Sequence, residues 1–201
     1  MPSSTRDSAG DKPVFVVTGP SGAGKGTLIQ LVLPRFGELA LAVSATTRAQ
    51  RPGEEDGVHY WFLSREEFDR RVDAGEFLEW VEFVGNRYGT LRSEIDRLRG
   101  EGKAPLLELE TEGAKRVKRR TEGAVTVFVT APVGELDRRL RERATESSGV
   151  IDDRLRKARE QLDEAEDFDF VVVNDDRDRA ARELEQIVAD ALDGAATMAR
   201  P

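Results

Sequence analysis

Apolar residues fall along this chain in two rhythms. Short, nearly continuous runs rich in Val, Leu and Phe occupy residues 14–18, 39–44, 105–109, 125–130 and 170–173. They are too short for buried helices and read as strands covered on both faces. Between them, apolar positions recur every three or four residues after Lys25, Glu112, Pro132, Ile151 and Arg177, the period of an amphipathic helix. Strands alternating with helices predict an α/β fold, a parallel sheet flanked by helices. Two stretches break the alternation. Residues 46–98 predict short strands at 59–63, 77–83 and 87–90 with a helix at 66–73, and hold Tyr60, Trp61, Phe62, Phe68, Phe77, Trp80, Phe83 and Tyr88. That aromatic density implies an inserted β-rich subdomain with its own core, in which Trp61 and Trp80 serve. Residues 136–159 are heavily charged and read as a mobile helical flap. The domain is expected over residues 13–195, its core made of 13–45, 99–135 and 160–195. A polar, disordered arm is expected at 1–12 and a frayed tail at 196–201.

Composition narrows the function classes. The 201 residues suit one domain with insertions. A net charge of −8 argues against general affinity for nucleic acid or membranes. Cysteine is absent, which removes disulfides, thiol catalysis and thiolate metal sites. No apolar run is long enough to span a bilayer, and the N-terminus has no apolar signal region. A cytoplasmic protein is expected.

The first strand runs directly into Gly19-Pro20-Ser21-Gly22-Ala23-Gly24-Lys25-Gly26-Thr27, and a helix follows. Glycines let the backbone wrap a phosphate with its N–H groups pointing inward, while the helix N-terminus and Lys25 add positive potential. Strand, glycine-rich loop and helix in this order predict a P-loop that binds a nucleoside triphosphate. Gly26 stands where the strict pattern has a hydroxyl for Mg²⁺, and Thr27 comes one residue late.

Beyond the loop, ordered segments resemble the guanylate kinase family from about Pro13 to the last helix. They are Val43-Ser44-Ala45-Thr46-Thr47-Arg48 with Arg51-Pro52-Gly53-Glu54, Gly57-Val58-His59-Tyr60, Phe77-Leu78-Glu79-Trp80, Tyr88-Gly89-Thr90 and Val171-Val172-Val173-Asn174-Asp175. The resemblance implies transfer of a phosphoryl group from ATP to GMP, with Mg²⁺ held mainly through phosphates and water and by Thr27 at most. It implies that Gly19 to Thr27 and Asn174 bind ATP, Asn174 on the adenine side. It also implies that Ser44, Arg48, Arg51, Glu54, Tyr60, Glu79, Tyr88, Thr90, Glu108 and Glu110 bind GMP. Lys25, Arg48, Arg139, Arg143 and Arg154 are then the catalytic cations, the last three from the flap.

The residue types suit these roles. Guanidinium forks match a phosphate monoester. A carboxylate at Glu79 matches the two adjacent donors of guanine, N1–H and the 2-amino group, which adenine lacks. By residues alone, a basic surface turn is the commoner reading of Arg48 and Arg51, the wet face of a half-buried strand that of Glu79, and His59 is read as structural. Thr90 where a serine is usual, Glu110 where an aspartate is usual, Glu112 in place of glutamine and Ala144 in place of glycine depart from the family pattern. Two other readings share the scaffold, a kinase for a sugar phosphate and a non-catalytic interaction module. The intact guanine set speaks against the first and the intact loop against the second.

Overall fold

The structure, a computed structural model, describes residues 12–143, 156 and 160–198. Its main sheet has five strands: β1 (Phe15–Thr18), β2 (Leu39–Leu41), β7 (Ala104–Glu108), β8 (Val125–Thr130) and β9 (Phe170–Val173), in spatial order β2-β7-β1-β8-β9. Every pairing in it is parallel. Alternate side chains of β1 and β8 enter two separate cores. Phe15, Val17, Val127 and Val129 pack with Leu28, Ile29 and Val32 of α1 (Lys25–Val32), and with Ala180, Leu184 and Val188 of α6 (Arg177–Met198). Val14, Val16 and Phe128 face the other way. They meet Ile95 and Leu98 of α3 (Arg92–Gly100) and Ala114 and Val117 of α4 (Thr111–Arg120). Two buried faces explain the continuous apolar runs in the sequence.

A second sheet of four strands orders β3 (Ala45–Thr46), β4 (Trp61–Phe62), β5 (Phe77–Phe83) and β6 (Asn86–Leu91) as β4-β3-β6-β5. Its core is small. Ala45, Phe68, Phe77 and Leu91 are buried, with Trp61, Leu63, Val72 and Trp80 against them, and Phe68 stacks on Phe77 at 4.3 Å. Phe68 comes from α2 (Arg65–Asp73), whose N-cap Ser64 accepts a hydrogen bond from the Glu67 N–H at 3.1 Å. The β5–β6 hairpin turns through Val84 and Gly85, both at positive φ (48° and 74°), as a two-residue turn of the I′ kind demands.

Four differences from the sequence reading stand out. The predicted strand at 39–44 ends at Leu41, and Ala45–Thr46 joins the second sheet instead. The strand expected at 59–63 is only Trp61–Phe62. Residues 92–98, assigned to the β-rich insert, lie in α3, whose Ile95 and Leu98 seal the main sheet. The helix α6 continues to Met198, past the start of the expected tail, because its alanine-rich end favours helix. The arm at 1–11, the helix expected after Ile151 except for Arg156, and most of the flap lie outside the described residues. The flap's first turns are the end of α5 (Val133–Arg143).

Candidate active site

The carboxyl ends of the central strands β1 and β7 open into the site, as is usual for open parallel sheets. The β1 end is tied to the β7 end: the Thr18 hydroxyl donates to the Leu109 carbonyl at 2.9 Å, and the Leu109 N–H donates to the Val17 carbonyl at 3.1 Å. The loop leaving β1 lines one cleft with Ser21, Gly22, Gly24, Lys25, Gly26, Thr27 and Glu108. Gly24 is the left-handed N-cap of α1, at φ 89°. A Cβ there would come within 2.4 Å of Asn174 Nδ2. The Lys25 ammonium folds back onto its own loop, donating to the Gly19 carbonyl at 2.7 Å and the Pro20 carbonyl at 3.3 Å. Burial depresses its pKa, while the carboxylates of Glu110 and Glu108 oppose the shift.

A second cleft, about 360 Å³, adjoins the first. Leu41, Ala42, Val81 and Phe83 give it an apolar wall, and Ser44, Tyr60, Glu79, Tyr88, Glu108 and Glu110 give it polar groups. Lys25 and Glu108 line both clefts, so the two meet at these side chains. Water reaches Glu108 through the opening, yet the surrounding protein raises its carboxyl pKa; Lys25 pulls the other way and Glu110 adds to the rise.

Glu79 is 2% exposed. One carboxylate oxygen accepts from the Thr90 hydroxyl at 2.9 Å. The other lies where a Cβ on Gly113 would approach to 2.6 Å, so glycine at 113 makes room for it. Burial pushes the carboxyl up to about 7, against the Thr90 hydroxyl and N–H and the charge of Arg116. Glu79 is therefore a buried carboxylate aimed at a cleft, and the wet-strand alternative is set aside.

At the far end, Arg48 donates to Glu54 Oε1 at 2.7 Å and lies 5.3 Å from the Tyr60 ring centroid. Tyr60 and Tyr88 meet edge to face at 6.2 Å. Glu54 Oε2 accepts from the Arg51 N–H at 2.8 Å, and the Arg51 side chain is exposed. Both Glu54 oxygens are thus engaged within the turn, where they order Arg48 and the Arg51 backbone. His59 lines the cleft with its Nδ1 accepting from the Glu55 N–H at 3.0 Å, a structural role.

Asn174 is 4% exposed, and its amide Nδ2 donates to the Ala23 carbonyl at 2.7 Å, which ties it to the phosphate loop. Arg139 joins the same contact. Its guanidinium donates to the Asn174 carbonyl at 3.0 Å and the Gly22 carbonyl at 3.4 Å. The Arg143 side chain and all of Arg154 lie outside the described residues. Gly113, Arg116 and the apolar wall were not found from the sequence. Gly113 carries the one usable signal, a glycine early in a helix where it costs stability.

Carboxylate and hydroxyl oxygens are the donors Mg²⁺ takes. Thr27 is exposed in the loop cleft, and a Cβ at Gly26 would stand 3.5 Å from Glu108 Oε2. A carboxylate therefore reaches the place where the strict loop pattern has its hydroxyl, and the residues present fit the metal. Among the described residues no three acidic or histidine side chains form a protein-only cage. None of the described helices is long and apolar enough to cross a membrane.

Comparison with known proteins agrees with this architecture. The guanylate kinase family model matches residues 11–191. Guanylate kinase of Synechococcus elongatus is 48% identical over 176 residues, covering 87% of this chain and 96% of that protein. Guanylate kinase of Rubrobacter xylanophilus is 48% identical over 176 residues, covering 87% and 92%. A crystal structure of guanylate kinase from Anaplasma phagocytophilum superposes with a TM-score of 0.71 at 30% identity, over 91% of this chain and 87% of that one. With a matching family model over most of its length and relatives nearly half identical, the chain belongs to the guanylate kinase family.

Proposed function

We propose that the two clefts divide the work of the family's reaction, which the chain performs: ATP phosphorylates GMP, giving ADP and GDP. The observation that carries this division is that the loop cleft and the Glu79 cleft meet at Lys25 and Glu108. ATP lies with its phosphates on Gly19 to Thr27. GMP lies with its base on Glu79, Thr90, Ser44 and Glu110 and its phosphate toward Arg48, Arg51, Tyr60 and Tyr88.

A phosphate oxygen of GMP attacks the γ-phosphorus in line, and the bond to the β–γ bridging oxygen breaks as ADP leaves. The GMP phosphate is an anion at neutral pH, so no protein base is required. Catalysis is alignment plus charge stabilisation. Lys25 exchanges its two carbonyl partners for phosphate oxygens, recovering favourable interactions for a buried cation. Arg139, beside the phosphate loop, adds positive charge around the transferring group, and Arg143 and Arg154 are assigned the same role. Glu108 and Thr27 would hold Mg²⁺, directly or through water. When bound, the ion neutralises charge on the triphosphate. dGMP is accepted as well, since none of these contacts involves the 2′-hydroxyl. A cytoplasmic location without nucleic-acid partners belongs to the same proposal, and the net charge of −8 supports the absence of nucleic-acid partners.

Arg51→Ala tests the division. It removes an exposed guanidinium, so KM for GMP rises about tenfold or more while KM for ATP stays within twofold. A rise confined to ATP would refute it.

A further inference from the structure

One face of α4 runs along the backbone of β5. Gly113, Arg116, Val117 and Arg120 share that face at helical spacing. Gly113 leaves room for the second Glu79 oxygen. Arg116 Nη1 donates to the Trp80 carbonyl, and Arg120 Nη1 donates to the Leu78 carbonyl at 3.4 Å. The two arginines therefore grip the residues on either side of Glu79. We propose that Arg116 is a positioning residue for guanine selection, fixing β5 on α4 so that the Glu79 carboxylate is presented to the base. The proposal rests on the reading of Glu79 as the acceptor of guanine N1–H and the 2-amino group.

Three observations carry it. The first is the geometry above, which leaves Glu79 little freedom along the strand. The second is burial. A carboxylate 2% exposed, with one hydroxyl donor, is costly to keep ionised, and guanine's two donors need it ionised. Arg116 is the cation that acts on it among the described residues. The third is that the remaining groups around Glu79 do not substitute for it. Thr90 of β6 contributes its hydroxyl and N–H. Arg87 of β6 is engaged over the Trp80 ring, 5.6 Å from its centroid. Across the cleft stand His59, Tyr60, Tyr88, Glu108, Glu110 and Lys25, with Lys25 bonded to its own loop.

The test is kcat/KM for GMP from pH 5.5 to 9 in the wild type, Arg116→Lys, Arg116→Met and Glu79→Gln, with KM for ATP and the GMP-over-IMP preference measured alongside. IMP lacks the 2-amino group. The pH dependence should rise with ionisation of Glu79. In Arg116→Met it should shift to higher pH by roughly half to one unit, a loss of about three- to tenfold near pH 6 that closes by pH 9, with KM for ATP unchanged. Arg116→Lys should restore most of the loss. If Arg116→Met fails to fold by circular dichroism, Arg116→Gln carries the same test. An equal loss at every pH, or no loss at any pH, while Glu79→Gln flattens the profile, overturns the role of Arg116 and leaves that of Glu79 standing. A Glu79→Gln enzyme with the wild-type profile and preference overturns both.

Discussion

Replacing Glu79 with glutamine should make the protein more stable and a worse GMP kinase at once. Glu79 is 2% exposed and its carboxyl is pushed up to about 7, against an ordinary 4.5. Because the folded-state pKa is raised, stability from this group is fully present below pH 4.5 and is lost as pH climbs to 7. Two and a half units correspond to roughly 3 kcal/mol of cost once the group is ionised. Glutamine is isosteric and still accepts from the Thr90 hydroxyl, but it carries no charge to desolvate. Glu79→Gln should therefore match the wild type near pH 4.5 and exceed it by up to roughly 3 kcal/mol at pH 8. Guanine, however, loses an acceptor and meets an amide donor with its own donor. One charge-assisted bond is worth about 1.5–3 kcal/mol, so kcat/KM for GMP should fall about 10- to 100-fold or more. Denaturant titrations at pH 5 and pH 8, with GMP and ATP kinetics on the same samples, read both effects. A variant less stable than the wild type at pH 8, or one with unchanged kcat/KM for GMP, would refute the reasoning.

Other predictions follow from neighbouring geometry. GMP binding near pH 6 should release close to one proton as Glu79 ionises, visible in calorimetry as a binding enthalpy that varies with the ionisation enthalpy of the buffer. Asn174→Ala should weaken inorganic tripolyphosphate and ATP by similar factors, because the amide holds the phosphate loop at the Ala23 carbonyl. The ratio of KM for ATP to that for GTP as donor should hardly move, whereas a residue reading adenine would collapse it. Val84 is 76% exposed and sits at φ 48°, so Val84→Asn should relieve the turn and raise stability by about 1 kcal/mol in a thermal melt.

What was legible in the sequence was what is contiguous in it. The phosphate loop needs only one strand, one turn and one helix in a row, and the runs of Val, Leu and Phe reveal strands buried on both faces. The helix α3 escaped because its Ile95 and Leu98 stand among Arg92, Glu94, Asp96, Arg97 and Arg99, a charged stretch next to an aromatic-rich insert. Its apolar stripe is narrow because it covers only the sheet end near β7. Contacts between distant segments were less accessible still. Nothing local says that Gly113 must be small because Glu79, 34 residues earlier, ends against it, or that Asn174 points to Ala23. The same holds for Glu54, whose bonds to the Arg48 guanidinium and the Arg51 N–H are not announced by the spacing. Motif spacing identifies which residues gather at the site. It does not separate those that touch substrate from those that hold the touching residues in place.

The most direct test is an acceptor panel: ADP formation from ATP and Mg²⁺ with GMP, dGMP, IMP, AMP, UMP, CMP and ribose 5-phosphate offered one at a time. Two clefts meeting at Lys25 and Glu108, with a buried carboxylate at the base wall, predict fast turnover with GMP and dGMP, weaker turnover with IMP and none with AMP. AMP or the sugar phosphate turning over as well as GMP would contradict the assignment of Glu79 and of the cleft it lines.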